Sequence, residues 1–210
     1  MATTAKVNKW VMEHLKNNNY HYQLDDNNKD FIVMMPLRSK FEKTILHIKC
    51  DESSITVLAY IEQDVPEKYR ANVMELFTRV NYGIFNGSFE IDLDDGEIRY
   101  KLTMSVLERE SISDGLIGIT LAVPGFVLDR YTDALLDVMS GKKTAVEAVN
   151  ELSDEDVDDC SCGCEHDHDD DYDCDDEDED DWDDDKEYDN YIKEALAMHH
   201  WSGRCYRNSL

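Results

Sequence analysis

Apolar residues at Val7, Trp10, Val11 and Leu15 recur at the spacing of one helical face, behind a cap at Thr3 or Thr4. Asn17-Asn18-Asn19 closes this helix, and the polar stretch from Leu24 to Asp30 reads as a loop. Phe31 to Met35 is a short apolar run ended by Pro36, which predicts a strand. Thr44 to Cys50 and Ser54 to Ile61 are rich in β-branched residues and separated by Asp51-Glu52-Ser53, the pattern of a hairpin. Asp64, with Glu67 three residues on, is positioned to cap a second helix that opens at Pro66. Its stripe is Tyr69, Val73, Leu76, Phe77 and Val80.

Beyond Gly83 the period shifts to two. Phe89, Ile91 and Leu93 line one face of a strand, and Ile98, Tyr100, Leu102 and Met104 line one face of the next. Asp94-Asp95-Gly96 between them predicts a tight turn, because glycine supplies the positive φ such turns need. From Ser113 the chain is helical again, with an interruption expected at Pro124-Gly125. Leu128, Tyr131, Leu135 and Val138 form the next stripe, and Gly141 is its stop. Thr144 and Glu147 make a capping box for a last short helix through Leu152. Like elements are grouped, which predicts an α+β fold: an antiparallel sheet with packed helices, in the order helix, three strands, helix, two strands, helix.

Charge sets the domain boundaries. The 210-residue chain carries a formal −27, and −22 of it falls between Ser153 and Asn190, where 23 acidic residues meet one lysine, Lys186. The expected organisation is a folded body over 1–152, an acidic disordered tail over 153–185, and a short amphipathic helix with the terminus over 186–210. Such acidity disfavours nucleic acid, whose binding relies on Lys and Arg displacing counterions, and equally an anionic membrane surface. No run of about 18 apolar residues predicts a spanning helix, and the first ten residues lack the apolar stretch of a secretory signal. A cytoplasmic protein with reduced thiols is expected.

The segments Leu76 to Asn81, Gly87 to Asp92 and Asp95 to Tyr100, with Leu128-Asp129-Arg130-Tyr131 further on, resemble the YbjN-type family over roughly residues 5–150. That family is described as bacterial sensory transduction regulators, with a fold like the type III secretion chaperones. The resemblance implies a homodimer that holds a segment of a protein partner, and it brings no catalytic residues. Arg79 and Asn81 are expected at a helix end, where asparagine tolerates left-handed geometry and arginine favours the negative end of the dipole. Gly87 is expected to let its strand start close to a neighbour. Phe31, Phe85, Trp10 and Tyr100 are candidate contributors to an apolar binding surface, with core and surface not separated by the pattern.

Catalytic patterns are missing from the sequence. There is no Gly-rich loop followed by Lys-Ser or Lys-Thr and no Gly-x-Ser-x-Gly elbow. His14 and His47 read as surface or structurally satisfied histidines, and Cys50 as a small core or edge residue. The expectation is a protein-binding module, not an enzyme, with no cofactor in the body. Ligand chemistry is confined to the tail, where Cys160, Cys162, Cys164, His166 and His168 lie within nine residues and Cys174 follows. Thiolates and imidazoles suit Zn²⁺. Against this, the spacing matches structural zinc sites poorly, and the negative field keeps thiols protonated. The alternatives are a metal-binding tail and an acidic tail with incidental cysteines. A calcium loop starting at Asp167 fails, since its sixth position is Tyr172 where glycine is required. Tyr188, Tyr191, Ile192, Ala195, Leu196 and His199 form a last helical stripe; the alternatives are a marginal helix that frays alone and one that docks on the sheet or on a second subunit.

Overall fold

Six antiparallel strands form one sheet in the order β1-β2-β3-β4-β6-β5. The computed structural model describes residues 2–25 and 30–158. Along the chain come α1 (Thr4–Asn17), β1 (Tyr22–Leu24), β2 (Phe31–Pro36), β3 (Lys43–Cys50), β4 (Ser54–Tyr60), a 3₁₀ turn (Glu67–Tyr69), α2 (Arg70–Gly83), β5 (Ser88–Ile91), β6 (Ile98–Ser105), α3 (Asp114–Met139) and α4 (Ala145–Asp158). The α+β architecture is the one expected.

Local rules account for most element ends. The Thr3 hydroxyl accepts from Lys6 N at 3.3 Å and starts α1. Asn19, at φ 57°, turns the chain away from the helix end. Ser113 caps α3 by accepting from Leu116 N at 3.3 Å, and Gly141, at φ 73°, ends it. Thr144 and Glu147 bond reciprocally: Thr144 N donates to Oε2 of Glu147 at 2.8 Å and Glu147 N donates to Oγ1 of Thr144 at 3.2 Å.

The structure departs from expectation in five places. Tyr22–Leu24, outside every predicted element, forms the border strand β1 against β2. Three residues are too few for an alternation to register. Asp64 caps nothing; Pro66 precedes the 3₁₀ turn, and α2 starts at Arg70 with no side-chain cap. The strand expected through Leu93 ends at Ile91, and Leu93 is exposed in the turn. Pro124 does not interrupt α3, which runs unbroken for 26 residues. The ring costs roughly 3 kcal/mol in a helix interior, yet Ile117, Leu121, Leu128, Leu135 and Val138 are buried on both sides of it, and that burial holds the rod together.

The fifth departure concerns Arg79 and Asn81. Neither acts at a left-handed helix end. Arg79 bonds Glu75 one turn earlier, at 2.7 and 2.9 Å. The Asn81 carboxamide instead reaches β5, where its Oδ1 accepts from Phe89 N at 2.8 Å and its Nδ2 donates to Phe89 O at 3.0 Å. Phe89 lies opposite Tyr100 in the β5–β6 ladder, and the two Asn81 bonds occupy the outward-facing N–H and C=O of Phe89 on this border strand.

The core lies on one side of the sheet. Phe31, Val33, Leu46, Ile48, Ile55, Val57, Ile98 and Leu102 are buried there, with Val7, Val11 and Leu15 of α1 and the apolar stripes of α2 and α3. Under α2 three rings gather around Phe89: Phe77 stacks on it at 4.9 Å, and Tyr100 and Tyr131 meet it edge-on at 5.2 and 5.7 Å. Gly87, at φ 94°, is where β5 enters beside β6, since a Cβ would stand 2.7 Å from Lys101 O. The close approach expected of it is present.

Candidate functional site

Strand side chains alternate between two faces, so every strand that covers the core also presents a second face. Register assigns the members. One cross-strand row is Gln23, Ile32, His47, Leu58, Lys101 and Ser88; its neighbour is Met34, Ile45, Tyr60, Arg99 and Glu90. A third row holds Lys49, Thr56 and Thr103. None of Ile32, Met34, Ile45, Leu58 or Tyr60 belongs to the core cluster or packs against it. They form a separate apolar patch on the side of the sheet away from the core.

Met34 is 62% exposed, whereas Leu58 in the next row is only 6% exposed. Leu58 stands opposite His47 across the ladder. The His47 and Tyr60 rings meet edge-on at 4.9 Å, a geometry that suits aromatic quadrupoles. Beside them Arg99 Nη2 stands 2.7 Å from Oε2 of Glu90, its Nη1 donates to the Tyr60 hydroxyl at 3.3 Å, and Lys101 Nζ lies 3.2 Å from Oε1 of Glu90. Burial tends to raise the Glu90 pKa, but the hydrogen bonds from Arg99 and Lys101 outweigh it and hold the carboxyl below its ordinary value. The stability this carboxylate contributes is therefore present above its unfolded pKa and lost as pH falls through the folded one. Thr56 and Thr103 hydroxyls meet at 3.1 Å in the third row. An apolar centre with a polar border is the anatomy of a protein-binding surface.

No acid, base or nucleophile set converges here. Among the described residues no group of three or more His, Cys, Asp or Glu side chains is placed to hold a metal ion. His14, expected to be either a surface or a structurally satisfied histidine, is buried, with Nδ1 2.7 Å from Oδ1 of Asp114; it ties α1 to the first turn of α3. Its Nε2 has no hydrogen-bond partner. Cys50 packs against the core at the end of β3. Burial, with Asp30 and Asp51 nearby, pushes its thiol up to about 12. Thiolate is the reactive form, and an unfolded cysteine ionises near about 8.5, so iodoacetamide at mildly alkaline pH should modify Cys50 at least about a hundredfold more slowly in the native chain than in urea. Peptide mass mapping follows this residue alone, and equal rates in the two states would contradict the burial.

Of the four aromatic residues put forward for a binding surface, Phe31 and Tyr100 are core residues, 2% and 0% exposed. Trp10 is half-buried against the core, with Lys6 Nζ 5.3 Å from its ring centre. Only Phe85 is open to solvent, and it lies between α2 and β5. The tail set Cys160, Cys162, Cys164, His166, His168 and Cys174, and the stripe from Tyr188 to His199, lie outside the described residues. Sequence reasoning missed Met34, Ile45 and Leu58, although a signal existed. β2 reads Phe-Ile-Val-Met-Met, apolar at every position, and β4 reads Val-Leu-Ala in its middle. An antiparallel strand with one wet face should alternate; unbroken apolar runs mean that both faces have something to bury.

A family model spans residues 9–137, and its description is "Putative bacterial sensory transduction regulator". This chain belongs to the YbjN family. The matched stretch runs from the middle of α1 to the last turn of α3, so it takes in all six strands and the whole open face. The family's description is that of a bacterial regulator. A comparison with curated proteins finds no match. No helix of this YbjN-family chain, among the described residues, is long and apolar enough to cross a membrane.

Proposed function

We propose that this YbjN-family chain is a non-enzymatic, cytoplasmic regulatory module that holds a segment of another protein against the open face of its sheet. The observation that carries the reading is the apolar patch of Ile32, Met34, Ile45 and Leu58, which is separate from the core and uncovered by any described helix. Isolated apolar residues on a surface are ordinary, but a contiguous patch framed by polar side chains marks an interaction site. The neighbouring Arg99 and Tyr60 add residue types that anchor interfaces. A regulator of this kind acts by capture and release, and needs no reacting group.

The test uses the full chain and one altered side chain on that face. Ile45→Asp places a charge in the centre of the patch without touching the core, so the melting temperature should stay close to that of the parent. A partner purified with the chain, then made separately and titrated against it, should bind Ile45→Asp more weakly by about tenfold or more. Phe126→Asp, on an exposed position of α3, should leave that binding intact. Affinity indifferent to Ile45→Asp but lost with Phe126→Asp would move the site elsewhere.

A further inference from the structure

We propose that the segment bound on the open sheet face is an apolar stretch flanked by acidic residues, contributed by a different protein; the proposal rests on the docking reading above. Up to Leu152 the chain has 17 basic and 24 acidic residues, a net −7. The open face runs against that balance. Its strand positions include Lys43, Lys49, Arg99 and Lys101 but only one acidic residue, Glu90. Lys43 is matched by Glu62 at 3.0 Å. Glu90 serves both Arg99 and Lys101, and one carboxylate cannot neutralise two cations. Lys49, exposed at the end of β3, adds a further positive charge. The face of a negatively charged body is thus locally positive.

The layout of these charges matches a bordered segment. Lys43 and Lys49 stand at the two ends of β3, with Ile45 and His47 between them. Six residues of extended strand cover about 20 Å. Arg99 and Lys101 lie on β6, on the side of the patch opposite Ile32 and Met34. A partner stretch of about five or six residues would therefore set its apolar side chains over Ile32, Met34, Ile45 and Leu58 and bring its flanking residues toward the unmatched charge at Lys49 and beside Arg99 and Lys101. Acidic flanks are attracted there; basic flanks meet like charge. Rim charges of this kind select the partner and speed its encounter more than they add raw affinity, and salt weakens them.

Two fluorescent peptides decide the matter, sharing one core of alternating isoleucine and threonine but flanked by Asp-Glu or by Lys-Arg. Both are titrated against the full chain by anisotropy. The acid-flanked peptide should bind more tightly by about tenfold or more at about 0.05 M salt, and the preference should shrink at about 0.5 M. The double substitution Lys49→Glu with Lys101→Glu should erase or invert it, and Ile45→Asp should weaken both peptides. Equal binding of the two peptides, still sensitive to Ile45→Asp, would overturn the charge inference and leave the docking reading standing. Binding of neither peptide would sink both. Peroxide oxidation of Met34 identifies other occupants: it should be fast in the free chain and slow with acid-flanked peptide bound. Slow oxidation without peptide, whether at all concentrations or only at high ones, means that the chain's own residues or a second copy cover the face, and the proposal fails.

Discussion

Gly96→Ala should cost about 3 kcal/mol or more and lower the melting temperature by about 6–12 °C. Two effects add. Gly96 sits at φ 91°, a conformation that strains any side chain by roughly 1–2 kcal/mol. An added Cβ would also collide with the carbonyl oxygen of Val65. That carbonyl cannot step aside. Val65 is fully buried, and its N–H donates to Gly96 O at 2.9 Å. Arg70, the first residue of α2, holds the same corner: Nε donates to Val65 O at 3.2 Å, Nη1 to Leu93 O and Asp94 O at 2.9 Å each, and Nη2 to Asp95 O at 2.7 Å. One guanidinium thus fixes the β5–β6 turn against the entry to α2. Thermal melts followed by circular dichroism would measure the loss, and a change within about 1 °C would show the corner to be soft.

Phe89→Ala should lose about 3–5 kcal/mol, the range for removing a buried aromatic ring. Phe89 is 4% exposed and touches three other rings, from α2, β6 and α3. Removing it leaves a void that elements from three parts of the chain would have to close together, which rigid packing resists. The backbone bonds of Phe89 to Asn81 persist in the alanine chain, so the experiment isolates the ring. Urea unfolding should give a lower midpoint with an unchanged slope, and Phe89→Leu should recover most of the loss. A loss under about 1 kcal/mol would mean that β5 contributes little to the cooperative unit.

Those two residues differ in how far the sequence announces them. Asp95-Gly96 is legible because its chemistry is local: a turn between two period-two runs needs positive φ, and glycine provides it. Gly141 and the Thr144–Glu147 box are legible for the same reason. Arg70 is not, because its four carbonyl partners lie up to 25 residues away and an arginine at a helix start carries no periodic signal. Asn81 fails likewise: its type suggests a helix end, while its role depends on β5 passing within hydrogen-bond reach. The open face was half legible. The unbroken apolar runs of β2 and β4 stand in the sequence, but which face each residue takes is settled only by register. Lys49 and Lys101 become neighbours of that patch only once β3, β4 and β6 are aligned.

The Asn81 carboxamide has a consequence for how molecules of this protein meet one another. An amide side chain carries the same donor and acceptor as a peptide unit, and here it imitates one, standing where a seventh strand would. An incoming chain finds the central position of β5 already answered, while the opposite border offers only the three residues of β1. Polymer growth by adding ribbons to the sheet loses a pair of main-chain bonds at Phe89 on one border and finds only a short ledge at the other. Recognition of this molecule therefore leans on side-chain chemistry more than on the generic grammar of the main chain.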